Sequence, residues 1–293
     1  MSNYPPSRRD GTYFQIPLCA FAFGNSDRER IETIISYSII ETGAKQWKKL
    51  TESERHTFLE ASVGNRPRRF NRHDPRHLAA VCGADKTGVC LGSLDYMLKQ
   101  HVALKIFRNS FERQHGPDVL VRLKTQFVFE ARDGTGVTVP ELAVLAAIFS
   151  VVGNKQGPAL ITQDRIRRRA LGYKSQAVFD AEFPKRSDGV KPLTDSQLRS
   201  MIDRLHVRKF FARTTYGRRL TYYSHRMTDS QLRKAVIEMK TRRFVSKRLA
   251  QLDDAAMTDA IRNQRAALAG QPPPAPDAQP LKQPGGIIPE DVF

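Results

Sequence analysis

The sequence predicts a mainly α chain with small β-hairpins, an α+β fold, and three observations carry that expectation. Apolar residues recur at helical spacing in several long segments, as in Ile31, Ile34, Ile35 and Ile39. The β-branched and aromatic runs are short and bounded by turn residues. No run approaches the roughly 18 uninterrupted apolar residues of a membrane-spanning helix. With 40% hydrophobic residues in 293, there is apolar material for real cores, enough for two ordinary domains and a tail.

Taken in order, residues 13–23 (YFQIPLCAFAF) read as a buried strand, with Pro17 marking a bulge or edge. The run is short and broken early by proline, so it does not read as a signal peptide, and a soluble intracellular chain is expected. Asp27 is expected to cap a helix of about 15 residues that stops at Gly43. A second helix is expected from the capping box Thr51-x-x-Glu54, then a basic loop over residues 64–75 and a short helix from Pro75. A longer helix follows over residues 92–111, and Gly116-Pro117 breaks it. Residues 119–130 alternate, with Val121, Leu123, Phe127 and Phe129 on one side, and so predict a strand or a hairpin. After the turn at 133–136 the pattern changes, which places a domain boundary near residue 135.

Cys19, Cys82 and Cys90 form no C-x-x-C and cannot all pair, so free buried thiols are expected. Charge is distributed unevenly. Residues 155–250 hold 24 Lys and Arg against 8 Asp and Glu, a net of +16, while the whole chain carries +18. Positive charge this concentrated predicts a polyanionic partner. A membrane surface fits less well, because the basic residues are not laid along one amphipathic helix with an aromatic opposite face.

Between Pro140 and Arg226 the order of elements is specific. Pro140 sits at the start of a helix with a stripe of Leu142, Leu145, Ala146, Phe149 and Val152. Residues 159–161 suit a very short strand. Thr162 caps a second helix that buries Ile166 and Ala170 and ends at Gly172. A polar insertion occupies residues 173–193. Thr194 caps a third helix whose core face is Leu198, Met201, Ile202 and Leu205. Residues 210–215 and 220–224 are strands joined by the turn Tyr216-Gly217-Arg218-Arg219.

Helix, short strand, helix, helix and hairpin is an order that resembles the winged helix-turn-helix superfamily, over residues 138–226. The resemblance implies duplex DNA as partner, with the third helix in the major groove. It implies Ser196, Arg199, Ser200 and Asp203 as reading residues, with Arg204 at the flank. Arg199 is suited to a bidentate contact with guanine, and Asp203 to accepting from cytosine or orienting Arg199. The wing residues Arg213, Arg218 and Arg219 would meet phosphates or the minor groove. Arg165, Arg167, Arg168 and Arg169 on the second helix cannot all face one way, so only some, with Arg165 and Arg168 the candidates, can touch the backbone.

The expected organisation is therefore an N-terminal mainly helical domain (1–135), a winged helix (136–228), a helical extension (229–268) and a proline-rich disordered tail (269–293). The layout of the N-terminal part also resembles the first of two winged helices in plasmid and phage replication initiators. A transcriptional regulator, or an effector with an enzymatic or sensing N-terminal domain, is the other reading. A homodimer is compatible with each.

Catalytic and cofactor motifs are not expected. His73-x-x-x-His77 has metal-ligand spacing, but Pro75 interrupts the helix that would align the rings, so a solvated loop is the better reading. There is no P-loop and no G-x-S-x-G. Tyr222-Tyr223 reads as hairpin packing rather than as a nucleophile pair. No metal, cofactor or enzymatic activity is expected.

Overall fold

A computed structural model describes residues 13–47, 51, 94–153, 155–185, 190–217 and 220–268. They form a mainly helical structure with two small antiparallel sheets. The helix expected from Thr51-x-x-Glu54, the basic loop, the short helix at Pro75, the His73/His77 pair and the proline-rich tail lie outside the described residues.

Strand β1 (Tyr13–Pro17) pairs antiparallel with β2 (Leu120–Lys124), with Phe14 opposite Leu123 and Ile16 opposite Val121. All four side chains are buried, so the pleat puts one apolar face on the core. The strand is shorter than the apolar run predicts. It ends at Pro17, and Leu18–Ala22 winds into a 3-10 turn with Leu18, Cys19, Ala20 and Phe21 buried. A short run that is apolar throughout has no period to distinguish strand from helix.

Helix α1 (Asp27–Trp47) is capped by Ser26, whose Oγ accepts the Glu29 N–H at 3.1 Å, so Asp27 is its first residue rather than its cap. It runs through Gly43 instead of stopping there. An interior glycine costs a helix only about 1 kcal/mol, and burial of Ile31, Ile34, Ile35, Ile39, Ile40 and Ala44 outweighs that. Helix α2 (Leu94–His115) packs along α1 and ends at Gly116, which has a φ of 76°.

The alternating segment after residue 119 divides. Its first half is β2; its second half is helix α3 (Thr125–Asp133). Thr125, Val128 and Phe129 are buried at helical spacing, which the coincidental alternation of Phe127 and Phe129 conceals in the sequence. Helix α4 (Val139–Val152) begins with a capping box between Thr138 and Glu141, and Pro140 lies in its first turn. Eleven of its fourteen residues are buried, so it is a central helix rather than a half-exposed one. It contacts α1, α3 and β2 of the earlier residues and two of the helices that follow it. Buried apolar residues from both sides of residue 135, Phe14 and Phe129 with Leu142 and Leu198 among them, belong to one continuous cluster.

Strand β3 (Ala159–Leu160) leads to α5 (Gln163–Ala170), capped by Thr162, and Gly172 with a φ of 89° ends that turn. The insertion is more ordered than its polarity suggests. It contains α6 (Gln176–Glu182), and Phe179 and Phe183 stack at 4.8 Å beside Tyr173. Helix α7 (Asp195–Val207) follows, then β4 (Ala212–Tyr216) and β5 (Leu220–Ser224). The three strands assemble in the order β3-β5-β4, all antiparallel, with Ala159 opposite Tyr223 and Arg213 also opposite Tyr223. Helix α8 (Asp229–Leu268) closes the sheet by burying Leu232 and Val236 against Ala212 and Tyr222. Among the described residues no helix is long and apolar enough to cross a membrane.

Candidate nucleic-acid interface

The expected interface centres on α7, which is closed at its N-terminus by a reciprocal capping box. Thr194 accepts the Gln197 N–H at 3.3 Å while Gln197 Oε1 accepts the Thr194 N–H at 3.0 Å. Leu198, Ile202 and Leu205 are buried and Met201 is half-buried. The opposite face is exposed and carries Ser196, Arg199, Ser200 and Asp203. A capped helix with one apolar and one polar face is rigid where a ligand would meet it.

The guanidinium groups near this face divide by their partners. Arg204 donates from Nε to Glu141 Oε1 at 2.7 Å and from Nη1 to Ser200 Oγ at 2.8 Å. It therefore ties α7 to the first turn of α4. Burial alone would raise the Glu141 carboxyl, but the Thr138 N–H at 2.9 Å and Arg204 outweigh it and hold the carboxyl below its ordinary value. Asp203 is 2.7 Å from Arg213 Nη1, so it holds β4 rather than Arg199. The Arg213 N–H meets Asp229 Oδ1 at 2.8 Å, and His206 Nε2 lies 3.0 Å from both oxygens of that carboxylate. One acidic side chain thus joins α7, β4 and the start of α8.

Helix α5 shows the same division. Arg167 donates to Leu193 O at 2.8 Å, to Asp164 at 2.7 Å and to Asp195, fastening α5 to the first residue of α7. Arg168 donates to Gln176 of α6. Arg169 is buried and donates to Ser150 Oγ at 2.6 Å, and burial beside Arg165 and Arg168 makes its charge costly. The side chain of Arg165 is half-exposed and has no hydrogen-bond or ion-pair partner among the described residues. The same holds for the exposed side chains of Arg199 and Ser196.

Of the expected contacts, the structure brings Ser196, Arg199, Ser200, Asp203 and Arg204 onto one helix, with Arg213 against it and Arg165 and Arg168 on α5. Arg218 and Arg219 lie outside the described residues. The sequence reading did not single out Glu141, His206 or Asp229, the acids and the imidazole that hold the cationic residues in place. The spacing Thr138-x-x-Glu141 is a capping-box signal visible in the sequence; the other two carry none.

Tyr222 and Tyr223 are buried in the sheet, and burial pushes the Tyr223 hydroxyl up to about 12. Among the described residues no three His, Cys, Asp or Glu side chains cluster as metal ligands would. Comparison with protein families, with curated proteins and with solved structures finds no match to this chain.

Proposed function

We propose that this chain is a sequence-specific double-stranded DNA-binding protein, acting as a replication initiator-like or transcriptional regulatory protein, and that residues 136–228 form a winged helix. The reading rests above all on one arrangement: an α7 closed at its N-terminus by a capping box, with an exposed polar face, packed beside α5 and a β3-β5-β4 sheet. That is the geometry a major-groove reading helix and its wing require. The +16 charge of residues 155–250 supports it, because phosphate neutralisation supplies most non-specific affinity.

The pairings sharpen the roles. Arg199 and Ser196 are the readers, since neither has a hydrogen-bond or ion-pair partner among the described residues. Arg165 of α5 is a phosphate contact, joined by Arg218 and Arg219, which follow Gly217 in the sequence. Arg204, Asp203, Arg213 and Arg168 hold the reading surface in shape. The test is a gel shift on random duplex DNA followed by selection of bound sequences. Arg199→Ala is expected to cost roughly 1–3 kcal/mol and relax preference at one position. Arg165→Ala is expected to weaken all sequences alike and to flatten the salt dependence by about 0.9 in log–log slope. An Arg199→Ala protein with unchanged affinity and preference would overturn α7 as the reader.

A further inference from the structure

Beyond residue 240 the long helix α8 leaves the rest of the molecule, and every described residue from Thr241 to Arg265 is exposed. Helices in water owe most of their stability to a packed apolar face, and an unpacked stretch of this kind is marginal alone. An apolar stripe is present. Val245, Leu249, Leu252 and Ala256 follow i, i+4, i+7, i+11 spacing, and the first three are 48%, 56% and 50% exposed. Four apolar positions alternating by four and three residues make a coiled-coil seam. Phe244, Met257 and Ile261 lie on other faces of the helix and belong to no part of that seam.

Charge selects the partner and its direction. Lys240, Arg242, Arg243, Lys247 and Arg248 lie on one side of the central leucines without an intervening acid. Asp253, Asp254 and Asp259 lie on the other side without an intervening base. We propose that this half of α8 pairs antiparallel with the same segment of a second copy of the chain. A single register aligns the four seam positions and sets Arg242, Lys247 and Arg248 against Asp259, Asp254 and Asp253. Placing Leu249 against Leu252 of the second copy sets Val245 against Ala256 and Arg242 against Asp259, and the two-fold axis repeats each pair. The basic block of each helix then runs beside the acidic block of the other. A parallel pairing in register would stack cations on cations and aspartates on aspartates. Within its own helix Asp259 has only a 3.9 Å contact with Arg262, which leaves it open to Arg242 of the second copy. Nucleic acid would match the cations but leave the apolar seam and the aspartates uncovered.

The experiment is sedimentation of the full chain without DNA over roughly 1–100 µM, so its outcome does not depend on the DNA-binding proposal. The wild-type chain is expected to be a dimer, and Leu249→Glu with Leu252→Glu a monomer whose thermal transition is kept, because both positions are exposed. Arg242→Asp is expected to weaken dimerisation about tenfold, as close charge pairs at an interface allow, and adding Asp259→Arg to restore it. Restoration identifies the antiparallel register, since in a parallel dimer the swap leaves like charges opposed. A wild-type monomer at 100 µM, a dimer that survives both glutamates, or a swap that restores nothing overturns the proposal. A monomer that still binds DNA would overturn it and leave the proposed function standing.

Discussion

Arg199 and Arg204 stand on the same helix, yet one is exposed with no partner among the described residues and the other closes a chain of polar contacts from Ser200 to Thr138. The difference predicts separable phenotypes. Arg204→Ala removes the partner of a buried carboxylate and is expected to cost about 1 kcal/mol in urea unfolding, discounted because the guanidinium is half-exposed. It is expected to leave base preference unchanged, since Arg204 acts by holding α7. Glu141 adds a pH signature. Its carboxyl is held below its ordinary 4.5 when folded, so its contribution to stability is complete above that value. That contribution is lost as pH falls toward the lower folded value, where the folded carboxylate protonates. Glu141→Gln is therefore expected to flatten the acid limb of the stability curve relative to wild type. An unchanged limb would show that Glu141 contributes no pH-dependent stability. Cys19 is a simpler case: burial and the neighbouring Asp118 push its thiol well above the ordinary range. It is expected to resist alkylation until the chain unfolds.

At the scale of elements, the features legible in the sequence were those that chemistry fixes locally. Thr162 and Thr194 cap the helices they were expected to cap, and Gly172 ends α5 in a left-handed conformation. What stayed hidden was set at long range. The switch from β2 to α3 at Lys124 depends on β1 arriving from about a hundred residues earlier to pair with β2. The reach of α1 through Gly43 depends on packing against α2. The pairing of Arg204 with Glu141 spans 63 positions, and nothing in local spacing announces it. Site types were therefore readable before site geometry, and the sequence placed Arg199 and Arg204 in one group that the structure divides. Gly172 offers a sharp test of an element boundary. A Cβ there would lie 2.7 Å from the Ala22 backbone nitrogen, at a φ of 89°. Gly172→Ala is expected to lose roughly 1–3 kcal/mol, measurable as a lower urea midpoint. A neutral substitution would mean that the 3-10 turn yields without cost.

For the molecule as a whole, the continuity of the core matters more than the composition change near residue 135. Helix α4 contacts β2, α1 and α3 as well as α5 and α7, so the N-terminal half supplies part of the core around the helix on which α7 packs. Phe129 shows the dependence most directly. It is fully buried in the cluster shared with Leu142 and Leu198, and its ring lies 6.0 Å from that of Phe14. Deleting a buried phenyl group typically costs about 3–5 kcal/mol. If the two halves fold as one unit, Phe129→Ala is expected to lower both together, although the residue lies about 70 positions from Arg199 in sequence and touches no proposed DNA contact. The chain's single tryptophan, Trp47, lies on α1 and reports the N-terminal half, while loss of duplex binding reports α7. Heated side by side, the two signals are expected to disappear at one temperature in the wild type. In Phe129→Ala they should shift down together, as two-state behaviour of a single cooperative unit requires. Two transitions, with DNA binding outlasting the tryptophan signal, would show that residues 136–228 fold independently of the half that covers α4.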